Sequence, residues 1–222
     1  EVHVVVPRER PLAAERMQRA VKERDDRLRW HLHTGEDRFV AGQSRAVIEL
    51  LAGRPNRPVT SWAPEAIDGH RGRPTLLSNA ETWAQLGRLA LVGLPRYAAL
   101  GTAEEPGTTL VTLNHPGQSP EVLEVEFGSR WSEVLPERSQ GRAHLVGGFH
   151  GTWATWEALA QGRVGVDDMR RQGTPMGAGA LISIPEHGCP LAFTARVTDY
   201  LSGQSAPRCG PCLNGLPALA QA

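Results

Sequence analysis

The chain has 222 residues, of which 24 are basic, 24 are acidic and 40% are hydrophobic. Its length suffices for one large domain or two small ones, and its balanced charge offers neither a basic surface for nucleic acid nor an acidic tail. No apolar run approaches the roughly 18 residues that cross a membrane, and residues 1–6 lack the flanks of a signal peptide. The composition predicts a soluble protein without a membrane span of its own, which binds small molecules or other subunits and no nucleic acid.

The first 33 residues predict a strand-helix-strand unit. A valine-rich run over residues 2–6 is typical of a buried strand in a parallel sheet. Pro11 suits a helix start, and apolar residues recur at near-helical spacing as far as Leu28. Residues 29–33 alternate like a short strand. Such a unit is typical of α/β domains. Because the chain starts at Glu1 inside a strand, without a methionine, we expect it to be a piece of a longer protein.

Residues 38–44 form a short apolar stretch that passes through Gly42 into a helix predicted over residues 44–52. A glycine in such a strand-to-helix turn lets a ligand approach the backbone, and the helix N-terminus offers unpaired N–H groups. For a single glycine, however, the pattern favours an ordinary turn. Residues 53–74 are rich in arginine, proline and glycine, which predicts an irregular, exposed connection.

A second helix is predicted over residues 83–92. Ser78 or Asn79 can serve as its N-terminal cap, and Glu81 suits its first turn. Taken alone, this pattern predicts a capped helix and no particular chemistry.

A compact β-grasp module is predicted over residues 105–150. Two strands, over residues 108–113 and 122–127, form a hairpin. A short helix over residues 129–135 and a strand over residues 143–148 complete it. Such a module serves packing and docking more than chemistry.

Beyond this module the chain offers a glycine-rich loop at residues 173–180, followed by a strand. A nucleotide-binding loop follows a strand and opens a helix, so the reversed order argues against phosphate binding. A helix is predicted over residues 190–201. Eight histidines include His31 and His33 on one side of a strand, but no carboxylate or cysteine lies at a matching spacing, which predicts surface or core histidines and no metal site there.

The three cysteines are Cys189, Cys209 and Cys212. They are too few and too odd in number for a secreted disulfide framework, which predicts a reducing, cytoplasmic location. Cys209 and Cys212 form a C-x-x-C that can present both sulfurs to one metal or cluster, although a stable site needs four ligands. A redox dithiol is the alternative, disfavoured because the preceding segment is predicted helical. Cys189 is predicted to be a buried thiol.

Five features recur in a recognisable order: residues 39–42, residues 74–82, the β-grasp module, residues 177–180 and residues 209–212. In this order they resemble the NADH-binding flavoprotein subunit of respiratory complex I and related NAD-reducing hydrogenase and formate dehydrogenase subunits. The resemblance implies an α/β fold in three parts. These are the C-terminal part of a Rossmann-like domain for FMN and NADH over residues 1–104, a soluble-ligand-binding (SLBB-like) β-grasp module over residues 105–150, and a connecting segment with the start of a helical iron-sulfur domain over residues 151–222.

The resemblance also implies hydride transfer from NADH to FMN, then single electrons through a [4Fe-4S] cluster towards other electron-transfer subunits or a ferredoxin-like protein. The cofactors carry this chemistry, so no catalytic side chain is assigned. The positions that fall where the family lines its flavin and nicotinamide site are Phe39, Gly42, Gln43, Ser44, Leu77, Ser78, Asn79 and Thr82. Cys209 and Cys212 fall on two cluster ligands. A cytoplasmic location at the periphery of a membrane complex is expected.

The chain departs from the family at three positions. Gln43 and Ser44 stand where the family has an acidic pair, and Ala206 stands where it has its first cluster cysteine. Alanine cannot ligate iron. These departures favour an alternative, a non-catalytic paralogue that keeps the scaffold for docking and has lost NADH oxidation or the cluster. In either case we expect this stretch alone to be inactive.

Overall fold

The computed structural model describes residues 1–135, 141 and 143–222. The chain divides into two units: Glu1–Ser78 with Ala195–Ala222, and Asn79–Thr194. Each mixes helices with strands, so the α/β class is confirmed. Within the described part of the chain, no helix combines the length and the apolar character that crossing a bilayer requires.

The first unit begins with the predicted strand-helix-strand. Strand β1 (Val2–Pro7) pairs in parallel with strand β2 (Trp30–Gly35), and helix α1 (Pro11–Lys22) connects the two strands in sequence. The helix ends before Leu28, because the Asp26 carboxylate accepts the Leu28 N–H at 2.9 Å and turns the chain towards β2.

The rest of the first unit is a turn, a helix and a long irregular segment. Residues 38–43 form a turn without the expected strand, because the N–H groups of Ala41 and Gln43 bond to carbonyls three residues back. Helix α2 (Ser44–Leu51) follows as predicted. Residues 53–74 are irregular, as predicted, apart from a 3-10 turn at His70–Gly72. The buried apolar residues of this unit are Val6, Ala41, Ala46, Ile48, Val197 and Ala206.

The second unit holds the remaining strands and most of the remaining helices. Its elements in chain order are α3 (Ala80–Val92), α4 (Leu94–Tyr97), β3 (Thr108–Asn114), β4 (Glu121–Glu126), α5 (Trp131–Val134), β5 (Ala143–Val146), β6 (Thr152–Ala154), α6 (Trp156–Ala160), α7 (Val166–Arg171) and β7 (Ala180–Ile184). Helix α8 (Pro190–Gln204) begins in this unit and ends in the first. The π-helical turn Pro211–Gly215 and helix α9 (Leu216–Gln221) then close the chain.

The sheet of the second unit has the strand order β4-β3-β7-β5-β6. The predicted β3–β4 hairpin is present, but β7 lies between β3, to which it is parallel, and β5, to which it is antiparallel. Strands β6 and β7 therefore extend the sheet beyond residue 150, the predicted limit of the module. The reason is burial: Leu181 and Ile184 of β7 are 0% and 3% exposed, so β7 is a central strand that local sequence could not assign to the sheet.

Candidate functional site

One buried amide holds the turn that leads into α2. Asn56 is 2% exposed, and its Nδ2 donates to the carbonyl oxygens of Ala41 and Ala46, each at 3.0 Å. Its Oδ1 accepts the backbone N–H of Glu36 at 3.0 Å. Because buried backbone groups need partners, Asn56 fixes the path of residues 36–46.

The same turn contacts the C-terminal part of α8. Phe39 is 44% exposed, its backbone N–H donates to Gln204 Oε1 at 3.1 Å, and its ring meets that of Tyr200 edge to face, with 6.4 Å between ring centres. Arg38 Nη2 donates to the carbonyl of Gly203 at 3.1 Å. Within the first unit, these contacts join the turn to the helix that precedes the cysteine pair.

Gly42 and Gln43 form an exposed edge of the turn. The backbone φ of Gly42 is outside the left-handed region, and a Cβ built on it would meet no heavy atom within 4 Å. Gln43 precedes the first residue of α2, is exposed and makes no side-chain capping bond. The turn therefore does not need a glycine for its own conformation, and the space beside Gly42 is open to a ligand.

A carboxylate stands beside Ser44. The hydrogen bond from Ser44 is the main reason why the pKa of Glu65 lies below its ordinary value. Arg45 Nε lies 3.6 Å from the same carboxylate, and the guanidinium also donates to the carbonyls of Ala63 and Asp68. An ionised carboxylate, paired with the Arg45 guanidinium, therefore stands beside position 44, which itself is neutral.

The other four predicted flavin residues lie where one unit ends and the other begins in sequence. Leu77 is half-buried and Ser78 is exposed, both in irregular backbone. In the second unit, Asn79 Oδ1 accepts the N–H of Thr82 at 2.8 Å, so Asn79 is the cap of α3. The predicted cap is confirmed, whereas the roles of these residues towards flavin stay predictions.

Glu81 attaches the start of α3 to the sheet of the second unit. Its Oε1 accepts the hydroxyl of Thr109 at 3.0 Å and the backbone N–H of Leu110 at 2.7 Å. Further along α3, Arg88 forms an ion pair with Glu124 at 2.9 Å. The sequence suggests a first-turn acid but gives no signal that its partners lie on β3.

Cys209 and Cys212 lie in the first unit with their sulfur atoms 3.2 Å apart. A disulfide bond is about 2.05 Å long, so both thiols are reduced. A hydrogen bond joins the two sulfur atoms. When Cys209 ionises, the S–H of Cys212 can donate to its thiolate, which lowers the pKa of Cys209 and raises the pKa of Cys212. Cys209 is exposed and Cys212 is half-buried. The pair can present two sulfurs to one metal ion or close into a disulfide.

Because its pKa is lowered, Cys209 is expected to react with iodoacetamide at a lower pH than Cys212, since its thiolate forms earlier as the pH rises. Replacing Cys212 by alanine removes the hydrogen-bond donor and should move the onset for Cys209 to higher pH. Peptide mass spectrometry of protein alkylated across a pH series measures both onsets. Identical onsets for the two thiols would contradict the geometry.

The remaining candidate ligand positions for a cluster are Ala206, which has no sulfur, and Cys189. Ala206, at the place of the first family cysteine, is 6% exposed. Cys189 was expected to be a buried thiol, and this is wrong: it is exposed and belongs to the second unit. It precedes α8 at the surface, where its carbonyl accepts the N–H of Phe193 at 3.0 Å.

The pairing of β1 and β2 brings several histidines together. Spacing along the chain predicts no metal site, yet donor atoms of Glu1, His3 and His31 all lie within 4.8 Å of one another. The signal lies in two strands at once, because the parallel register of β1 and β2 places His3 opposite His31. Burial first, and neighbouring imidazoles second, lower the pKa of His3 and His33. His144 is 0% exposed, a core histidine as predicted.

Comparisons with known proteins agree with the sequence motifs. Residues 1–88 match the family model described as the Nuo51 FMN-binding domain. One of the NADH-quinone oxidoreductase subunits of Rhizobium meliloti is 24% identical over 193 residues, which cover 84% of this chain and 46% of that protein. The NADP-reducing hydrogenase subunit HndC of Solidesulfovibrio fructosivorans is 26% identical over 195 residues, which cover 83% of this chain and 39% of that protein.

A solved structure shows the same fold. The crystal structure of an NAD+-reducing [NiFe]-hydrogenase in the H2-reduced state superposes with a TM-score of 0.82 at 24% identity, covering 99% of this chain and 39% of that one. The chain thus spans less than half the length of the relatives it matches. With these matches, the resemblance to the NADH-binding flavoprotein subunit of respiratory complex I, which the sequence motifs indicate, is confirmed.

Proposed function

We propose that this chain is part of an electron-transfer oxidoreductase subunit that takes electrons from NADH through FMN and passes them towards an iron-sulfur centre in a partner subunit or a ferredoxin-like protein. The observation that carries the proposal is the turn at residues 38–44, held by Asn56 and open at Gly42, within the stretch that matches an FMN-binding domain. Bound FMN would supply the chemistry, accepting a hydride and releasing electrons singly.

The residues of the turn suit an isoalloxazine edge. Phe39 offers an exposed apolar ring that can pack against a flavin and exclude water from it. The open space at Gly42 admits a ring close to the backbone. Gln43 provides an exposed amide that can donate to, or accept from, a flavin or nicotinamide carbonyl. The turn therefore binds and orients, while the cofactors react.

Glu65 lies close to the positions where this chain lacks the acidic pair of the family. Its ionised carboxylate is hydrogen-bonded to Ser44, at one of the two positions where the family carries an acid. We infer that Glu65 supplies a carboxylate beside the positions where Gln43 and Ser44 lack one, with its charge partly offset by Arg45. Glu65→Gln should then weaken nicotinamide binding more than it weakens FMN binding.

The described residues do not make a complete site for a [4Fe-4S] cluster. Such a cluster takes four thiolates, and the segment after α8 supplies Cys209 and Cys212 with Ala206 at a third position. We propose that SLBB-like packing is the role of the sheet around β3 and β5, and that the protein works in the cytoplasm at the periphery of a larger complex.

Absorbance and fluorescence of the purified full-length protein, supplied with FMN, test the proposal. A flavin band that co-purifies on gel filtration and bleaches with NADH is the expected result. A protein that stays colourless would support the alternative, a docking paralogue without cofactor, for which Gln43, Ser44 and Ala206 argue.

Gly42→Ala sharpens this test. A Cβ at Gly42 meets no protein atom within 4 Å, so stability should change by less than about 0.5 kcal/mol. The same Cβ would intrude on a flavin packed against the turn, and FMN affinity should fall roughly tenfold, or about 1.4 kcal/mol. Fluorescence titration with FMN measures the affinity. Gly87→Ala is the matched control, since its Cβ also meets nothing within 4 Å but lies on α3.

If Gly42→Ala and Gly87→Ala bind FMN equally well, the flavin does not contact this turn, and the placement of the site is wrong.

A further inference from the structure

Four imidazoles and one carboxylate gather on one face of the β1–β2 pair. His3 lies opposite His31 in the parallel register, and His33 follows two residues after His31, so all three share a face. Glu1 is two residues before His3 on the same face, and His70 joins them from the 3-10 turn. None of these side chains takes part in the flavin turn described above.

The rings are close enough to share one ion. The His3 ring centre lies 4.7 Å from that of His31, 5.2 Å from that of His33 and 4.9 Å from that of His70. Donor atoms of Glu1, His3 and His31 lie within 4.8 Å of one another. A tetrahedral zinc with metal-nitrogen bonds of about 2.0–2.1 Å separates its donors by roughly 3.4 Å. Small side-chain rotations would close that difference.

The two ring nitrogens of His3 face different neighbours. Its Nδ1 lies 3.0 Å from Nε2 of His33, and its Nε2 lies 3.6 Å from Oε2 of Glu1. With the proton on Nδ1 donated to His33, the lone pair of Nε2 points to the carboxylate side. A ligating imidazole in proteins is commonly held in this way by a partner on its other nitrogen.

The two carboxylate oxygens of Glu1 face different partners. Its Oε1 accepts from Arg29 Nη2 at 3.0 Å, which leaves Oε2 on the side of His3. The carboxylate is thereby oriented by one cation while its second oxygen remains available for another.

His70 provides an independent observation. Both ring nitrogens, Nδ1 and Nε2, are inaccessible to solvent and have no hydrogen-bond partner among the described residues. A buried polar atom without a partner is uncommon and indicates a place where an ion or a water belongs. The ring lies against His3, so this polar space adjoins the Glu1, His3 and His31 donors.

We propose that Glu1, His3 and His31 bind one divalent ion of the late transition series, with zinc as the best fit, while His33 holds the His3 ring. Imidazole nitrogens with one carboxylate select zinc, copper or nickel over magnesium and calcium, which prefer oxygen ligands. The fourth position is open to water, beside His70. The site shares no residue with the cysteine pair and does not depend on the proposed redox function.

Zinc titration of the metal-free full-length protein tests this site. The thiols would compete for zinc, so the parent for the titration carries Cys209→Ser and Cys212→Ser. We expect one equivalent of zinc by calorimetry. Cobalt should give the visible absorption of a four-coordinate ion without the intense thiolate charge-transfer bands.

Single substitutions locate the ion. His31→Ala should lower zinc affinity at least tenfold, and Glu1→Gln should lower it too; both side chains are exposed, so the fold is preserved. His33→Ala should keep the stoichiometry and lose roughly tenfold in affinity, as expected for a residue that supports a ligand. His187→Ala, an exposed histidine of the second unit, is the control and should bind like the parent.

The proposal is overturned if the parent with Cys209→Ser and Cys212→Ser takes up no zinc, or if His31→Ala and His187→Ala bind it equally. The side chain of His3 is half-buried, so circular dichroism is used to check that the His3→Ala variant is folded. Should it unfold, His31→Ala and Glu1→Gln still decide the matter.

Discussion

Replacing Asn56 by alanine is expected to lower the free energy of unfolding of the first unit by about 3 kcal/mol. The substitution leaves the buried carbonyls of Ala41 and Ala46 and the N–H of Glu36 without partners. Each buried group left unsatisfied costs roughly 1–3 kcal/mol, and partial access of water to the turn reduces the sum. Urea unfolding measures the change in stability. Hydrogen exchange of the Glu36 amide reports it locally, because this N–H loses its acceptor directly.

Two further variants separate the hydrogen bonds from other effects. Asn56→Asp keeps the size of the side chain but turns a carboxylate oxygen towards two carbonyl oxygens, so it should destabilise at least as much as alanine. Asn214→Ala removes an exposed amide and should change stability by less than about 0.5 kcal/mol. If Asn56→Ala resembled Asn214→Ala, the turn would be held by other contacts. FMN affinity should fall with Asn56→Ala, because the pocket edge loosens.

Replacing Ala206 by cysteine is expected to raise the iron content of protein reconstituted with iron and sulfide several-fold. The parent offers Cys209 and Cys212 in this segment, and two thiolates hold a cluster poorly. A third thiolate at the family position would supply one of the two missing ligands. Ala206 is 6% exposed, so the added sulfur must be accommodated at a cost of about 1–3 kcal/mol. Iron analysis and visible absorbance report the outcome.

The control is Ala220→Cys, which adds a thiol in α9, outside the family motif. It should leave the iron content near that of the parent. Equal iron in both cysteine variants, or none in either, would mean that position 206 is not a ligand position and that the pair serves another purpose, such as a dithiol.

Features with local signals could be predicted from the sequence. The valine run of β1, the proline at the start of α1 and the Asn79 cap of α3 each act within a few residues, and each was found where the pattern indicates. The β3–β4 hairpin joins neighbours in the chain in the same way. Such elements depend on short-range sterics and hydrogen bonds.

Features that join distant residues could not be predicted. The bonds of Asn56 to Ala41 and Ala46 cross a turn and a helix, and no spacing rule connects an asparagine in an irregular segment with them. The approach of His3 to His31 depends on the register of two strands. Cysteine is usually buried, but Cys189 is exposed because it lies at the surface just before α8. Burial and pairing across the chain decided each of these cases.

The central place of β7 also constrains how the protein folds as it is synthesised. The β3–β4 and β5–β6 hairpins can each form early, but among the described strands no backbone pairing links them until residues 180–184 have left the ribosome and inserted between β3 and β5. Until then both hairpins present unpaired strand edges, which are prone to associate with other chains. Products truncated before β7 should therefore aggregate, whereas those that end after α8 should contain the complete five-stranded sheet.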